Sequence, residues 1–299
     1  MGNSDRSKTY FLLVLAAASW GFQPTCIKWL VHEWSPVTIT FVRYVFLSII
    51  LLGMAWRQEG ARMLPKGRSW WYLLGMGLSG VMLNNILQFT GLLTTTVTNC
   101  TLISATTPAV TAILAVLFIR ERLNLIAWGG ILVSFCGVLL IVSHGSLEVI
   151  RQIDFNVGDV YCFLSQIVWA IYSLLGLRVM HAMSPIAVTG WGALLGGIAT
   201  GVYGLAAQDL SIPMLSMPAA LSFAYAVMIG GVMAMVCWNL GVKHAGPSIT
   251  SIFLNIMPIV GMMAGHFFFA DEIGLIQLGG AAAICGGVYM TTHSMPAAS

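Results

Sequence analysis

Residues 124–143 read NLIAWGGILVSFCGVLLIVS, a stretch of twenty positions without a charge. A helix that crosses a bilayer needs about 20 consecutive, mostly apolar residues, so this stretch reads as one span. Similar runs lie on both sides of it. In chain order they cover 10–32, 36–56, 70–91, 97–119, 124–143, 158–180, 185–207, 218–241, 248–270 and 274–293. Ten spans of about 20 residues use roughly two thirds of the 299 positions and leave no room for a sizeable soluble domain. Composition agrees, with 58% hydrophobic residues, 8% charged and a mean hydropathy of +0.89. A soluble domain carries about 25% charged residues. This chain could not cover a water-facing surface, which excludes a soluble enzyme or a nucleic-acid binder. Disorder is excluded too, because it requires low hydrophobicity and high charge.

The net charge is +3, but the placement of the cations says more than their sum. Arg6, Lys8, Arg57, Arg62, Lys66, Arg68, Arg120, Arg122, Arg178 and Lys243 all fall on the side of the N-terminus, and Arg151 alone on the other. Lys and Arg accumulate in cytoplasmic loops. The bias therefore predicts cytoplasmic termini and an inner (plasma) membrane protein, and an odd number of spans would scramble it. The start, Arg6 and Lys8 before an apolar run ending AAAS, looks like a signal peptide. The run continues through Trp20 and more spans follow, so an uncleaved first helix is expected. Cys26, Cys100, Cys136, Cys162, Cys237 and Cys285 lie in apolar runs without a CxxC pair. They read as small buried hydrophobes, with no disulfide framework and no metal site.

The halves of the chain repeat each other. Trp20 and Trp169, and Pro36 and Pro185, are 149 positions apart; Gly91 and Gly241, and Pro108 and Pro258, are 150 apart. Pro36 and Pro185 each follow a serine, and RERLNLIAWGG (120–130) matches ADEIGLIQLGG (270–280) in position. The predicted fold is an all-α membrane protein of ten transmembrane helices in two inverted five-helix repeats. The first repeat occupies 1–143, an external linker 144–157 and the second repeat 158–299. Five spans is an odd number, so the second copy enters the membrane from the opposite side, the design transporters use to open to alternate sides.

Four stretches, SWGFQPTCIKWL (19–30), SPVTITFVRY (35–44), SATTPAVTAILAVLFIRERL (104–123) and NIMPIVGMMAGHFFFADEI (255–273), resemble the drug/metabolite transporter superfamily, specifically its EamA-like members. The resemblance covers nearly the whole chain. It implies two five-helix repeats, export of small metabolites, often amino acids, a central cavity lined in part by the stretch around Asn84, Asn85 and Gln88, and a supporting place for Arg43. The second half departs from the first: Leu177 stands where the first half has Lys28, and Gly192 where it has Arg43.

Charges inside a membrane are costly and mark function by default. Lys28 lies near the outer end of its span and either extends its ammonium to the interface or serves the solute. Arg43 lies about 10 Å into the second span at 1.5 Å per residue, where it could bind helix carbonyls, pair with Glu33 or attract a carboxylate. No span carries an acid near its centre, so a carboxylate proton relay is not visible. His266 is read as packed rather than titrating. Among uncharged residues Gln23, Asn84, Asn85, Gln88, Asn239 and Asn255 are candidates for the cavity or for bonds between helices. Asn85 and Gln88 share a helix face. Trp20, Trp169, Tyr172 and Trp238 are candidates for aromatic walls. Pro24, Pro108 and Pro258 are candidate hinges. No cofactor is expected and no GxxxxGK loop is present.

The expected function is secondary export of a small polar or zwitterionic metabolite by alternating access: an amino acid or derivative, including carboxylated metallophores. Partners are that solute and the bilayer, with no nucleic acid, and a single copy is expected to act. The competing reading within transport is a proton-coupled exporter of drug-like or cationic amphipathic compounds. An intramembrane serine protease, suggested by GLSG at 77–80 with His266 as base, lacks support elsewhere in the chain. A channel lacks a filter-like loop.

Overall fold

The structure, a computed structural model, describes residues 3–27, 30–95, 97–151, 156–269 and 273–294. Among them every regular element is helical. In chain order the long segments are α1 (Asn3–Ile27), α2 (Pro36–Glu59), α3 (69–92), α4 (97–119), α5 (Leu125–Ser143), α6 (Val157–Val179), α7 (Pro185–Ala206), α8 (Met217–Ala245), α9 (247–269) and α10 (Leu275–Ser294). A short helix, Leu147–Arg151, lies between α5 and α6. Of the described residues, 8 helices are long and apolar enough to cross a membrane: α2 and α4 to α10. The other two segments are more polar. The first turns of α1 hold Asp5, Arg6 and Lys8, and α3 holds Asn84, Asn85 and Gln88.

The repeated Ser-Pro pairs are helix starts. Ser35 accepts a hydrogen bond from Thr38 N and Ser184 from Ala187 N, with Pro36 and Pro185 in the first turn. The hydroxyl satisfies an orphan backbone donor, and proline suits a position whose N–H has no partner anyway. Breaks recur as well. α3 is π-helical over Gly77–Leu83 and α8 over Met228–Met233. α4 stops after Ser104 and resumes at Thr107, just before Pro108. α9 passes through a 3-10 turn, Phe253–Ile256, just before Pro258. Two of the candidate hinge prolines thus begin helices after breaks, while α1 stays helical through Pro24 to Ile27.

Neighbouring helices follow one scheme. α5 lies against α10, α2 against α7, and α4 against the start of α9; α1 lies along the second part of α8 as α3 lies along α6. Lipid tails are as apolar as leucine, so these contacts rely on close packing rather than on burial from water. Glycine supplies it at α5 and α10. A Cβ on Gly137 would lie 2.6 Å from the Gly280 oxygen, and one on Gly130 would lie 2.6 Å from the Gly287 oxygen. Between α3 and α7 the Val81 side chain fills the space left by Gly196, whereas between α2 and α8 Leu47 fills the space left by Gly231. Large apolar side chains such as Leu117, Phe118, Leu125 and Phe267 point outward. The cysteines divide against expectation. Cys100, Cys162 and Cys237 are buried, but Cys136 and Cys285 are exposed on the outer faces of α5 and α10, where lipid replaces water.

Candidate functional site

α1 and α6 bring the two repeat-related tryptophans together. The Trp20 and Trp169 rings meet edge to face, centroids 5.6 Å apart at 84°. Trp238 of α8 touches both, at 5.5 and 5.4 Å, and Tyr172 stacks on Trp169 at 5.1 Å. Edge-to-face and offset contacts are those the ring quadrupole favours. Trp238 and Tyr172 are each only 1% exposed. Asn239 fixes this side of the cluster: its Nδ2 donates to the Tyr172 hydroxyl and to Thr189 Oγ1, both at 2.8 Å. Trp238 Nε1 donates to Ser173 Oγ at 3.3 Å.

The other side is polar. The π-helical turn of α8 departs from the regular ladder, and there the Gly230 carbonyl accepts two side-chain donors. Trp20 Nε1 reaches it at 2.8 Å and Arg43 Nη2 at 3.1 Å. The Arg43 guanidinium also lies 5.3 Å from the Tyr44 ring centroid. A Cβ on Gly230 would collide with Gln23 Oε1 and lie 3.8 Å from Arg43 Nη2, so Gln23 and Arg43 converge on this glycine. Gln23 Oε1, Arg43 Nε and Trp169 Nε1 are buried without a hydrogen-bond partner. Most buried polar atoms have one. Here an acceptor, a cationic donor and an indole donor are left open around one tryptophan pair.

Most of the remaining sequence candidates serve elsewhere. Asn84 Nδ2 donates to the Ser165 carbonyl at 2.9 Å, tying α3 to α6. Asn85 Nδ2 turns back to Val81 O at 2.7 Å within its own helix, and Gln88 is half-buried. Asn255 Nδ2 donates to Ser134 Oγ at 2.9 Å and ties α9 to α5. Lys28 lies outside the described residues. His266 is exposed beside Phe267, and Ser79 Oγ donates to Gly75 O at 2.7 Å in its own helix. Among the described residues no group of His, Cys, Asp and Glu could hold a metal ion.

Several polar contacts carry no sequence signal of their own. Gly230 is one of many glycines in the chain, and its role depends on a carbonyl left accessible by a π-turn. Thr107 Oγ1 donates to Gln166 Oε1 at 2.7 Å, linking α4 to α6. In the loop before α5, Glu121 accepts from Ser248 Oγ at 2.7 Å, and burial pushes its pKa up. In the loop before α2, the hydroxyl and backbone N–H of Ser216 hold the Glu33 carboxyl below its ordinary value.

The model of the EamA-like transporter family matches the chain twice, over residues 7–143 and 156–293. The uncharacterized transporter YyaM of Bacillus subtilis is 28% identical over 87% of this chain and 86% of its own length. An uncharacterized transporter of Archaeoglobus fulgidus is 26% identical over 96% of this chain and 98% of its own. The uncharacterized inner membrane transporter YedA of Escherichia coli is 22% identical over 86% of this chain and 82% of its own. A solved crystal structure superposes with a TM-score of 0.80 over 98% of both chains at 14% identity, a likeness of fold. Matched along almost its whole length, this multi-pass helical chain belongs to the EamA-like transporter family.

Proposed function

We propose that the protein exports a small polar or zwitterionic metabolite across the inner membrane, an amino acid or an amino-acid derivative including carboxylated metallophores. On this reading all ten helical segments span, α1 and α3 among them. The halves 1–143 and 158–299 are inverted copies, both termini are cytoplasmic, and the solute sits between the halves. The matching order of helix contacts and the paired breaks in α3 with α8 and α4 with α9 support the inverted repeat. One observation carries the solute class: the open Gln23 Oε1, Arg43 Nε and Trp169 Nε1 beside the Trp20–Trp169 contact. Arg43 is a permanent cation that suits a carboxylate, Gln23 can accept from an ammonium, and the tryptophans supply an apolar wall. The rings touch one another, so a solute is admitted only when the halves part, as alternating access requires.

Comparing metabolites inside cells and in the medium, with and without the protein, names the solute. Flux of that solute in proteoliposomes, with and without a pH gradient, then tests the mode. Export of a carboxylated or zwitterionic metabolite without gradient-driven accumulation is the expected result. Gradient-driven accumulation of a cationic amphipath would overturn it in favour of proton-coupled drug export. Peptide cleavage lost on Ser79→Ala would overturn transport altogether.

A further inference from the structure

We propose that Cys100 and Cys162 are a disulfide-forming pair that fastens α4 to α6 near the ends where both helices begin. Their sulfurs lie 2.9 Å apart and both side chains are buried. A shift of about 1 Å brings them to the bonding distance of about 2.05 Å. The neighbourhood holds them in place. A Cβ on Gly91 of α3 would lie 2.8 Å from Cys162 Sγ, so the α3 backbone crowds that thiol and limits where it can turn. One turn away, Asp159 of α6 accepts from Thr95 and, at 3.5 Å, from Asn99 Nδ2. The same carboxylate caps α6 through Asn156 N at 2.8 Å. The Asp159 carboxyl thus ties the two helix starts together before any covalent bond forms. Cys237, the other buried cysteine among the described residues, packs between Ala16 and Ala234 instead.

The repeat spacing puts Thr250 and Leu13 where Cys100 and Cys162 stand, so the opposite end of the bundle cannot make this link. By the orientation of the positive loops, the cysteine-bearing end faces the cell exterior, where thiols are oxidised and disulfides persist. The step balances with a small disulfide as oxidant. Cys100 attacks it, forms a mixed disulfide and releases one thiol. Cys162 then displaces the second thiol as the Cys100–Cys162 bond forms. The two cysteines lose two electrons and two protons, and the reagent gains both as two thiols. α4 belongs to the first half and α6 to the second. The bond would therefore hold the halves together at this end, and its effect on transport rests on the alternating-access reading above.

The test treats the purified full chain with oxidised glutathione, blocks free thiols with iodoacetamide after denaturation, and maps non-reduced peptides. A reducible peptide joining residues 100 and 162 is expected; alkylation of both thiols after the treatment would overturn the pair. Cys100→Ser and Cys162→Ser should each abolish the linked peptide while the protein elutes as before on gel filtration. Flux in proteoliposomes should fall at least tenfold on oxidation and return with dithiothreitol, with neither change in the two serine variants. A linked peptide with unchanged flux in a transporting protein would overturn the lock and leave the bond. Absence of flux under both conditions would count against the transport reading, while the peptide map still decides the pair.

Discussion

Around the Trp20–Trp169 contact the two halves of the molecule offer different chemistry at matching positions. The first half supplies Gln23 and Arg43, which converge on the Gly230 carbonyl. At the same spacing the second half has Tyr172 and Gly192. There the Tyr172 ring covers Gly80, the counterpart of Gly230, whose added Cβ would lie 2.5 Å from Tyr172 Cγ. Trp238 and Asn239 complete that aromatic side, where the first half has Gln88 and Phe89. One face is cationic and hydrogen-bonding with open valences. The other is aromatic: the Tyr172 hydroxyl and Trp238 Nε1 are bonded, and only neutral atoms, Trp169 Nε1 and Asn239 Oδ1, stay open. The family model matches both halves, but the side chains at this contact differ between them.

The sharpest break of this contrast is Arg43→Gln. Hydrogen bonds to a charged group contribute about 1.5–3 kcal/mol, so flux of the transported solute should fall about 10- to 100-fold. A change under about twofold would remove Arg43 from the site. On the aromatic face Gly80→Val should drive Tyr172 from its place and cost about 1–3 kcal/mol of stability. The thermal midpoint in detergent reads this, against Gly53→Ala, where a Cβ meets nothing within 4 Å. Asn239→Leu removes the donor to the Tyr172 hydroxyl, while Thr189 keeps its bond to Pro185 O; the cost is about 1–2 kcal/mol, again visible as a lowered midpoint.

The tryptophans sharpen the comparison further. Trp20→Phe loses the bond to Gly230 and should cost about 1 kcal/mol. Trp169→Phe gives up similar ring area but an indole N–H that has no protein partner, so its stability should fall by about 1 kcal/mol less than that of Trp20→Phe, a smaller drop in midpoint, with flux lowered. Equal midpoints for the two variants would contradict the asymmetry.

The smallest effect is one of pH, in loops outside the site. Glu121 has its pKa raised by burial above the ordinary 4.5. Its contribution to stability is complete below that value and declines as pH rises through the raised one. The lowered pKa of Glu33 acts the other way: its contribution is present above 4.5 and is lost as pH falls through the lowered value. Glu121→Gln should therefore flatten the fall in thermal midpoint toward neutral pH, measured from about pH 4 to pH 8, and leave the acid limb unchanged.

Helices were legible because a span must be apolar over its whole length, and Ser35-Pro36 and Ser184-Pro185 announced two starts. The tryptophan pair was legible through its spacing. The partners of the polar residues were not. Asn255 and Asn239 look alike in sequence, yet one bonds Ser134 and the other Tyr172 and Thr189. Nothing local to an amide states which distant helix will face it. The Arg43 acceptor was hidden for a different reason, since it is a backbone carbonyl of a glycine in a π-turn, and backbone geometry of that kind leaves no mark in residue type. Cys100 and Cys162, without a CxxC spacing, gave no hint of meeting.

The exchange of Val81 against Gly196 for Leu47 against Gly231 makes the two halves complementary rather than interchangeable. A dimer assembled from two copies of residues 7–143 would set Leu47 against Val81, with no room for both. Two copies of 156–293 would face Gly196 with Gly231 and leave a hole. Each half is thus shaped to its partner at this contact, and neither could replace the other there.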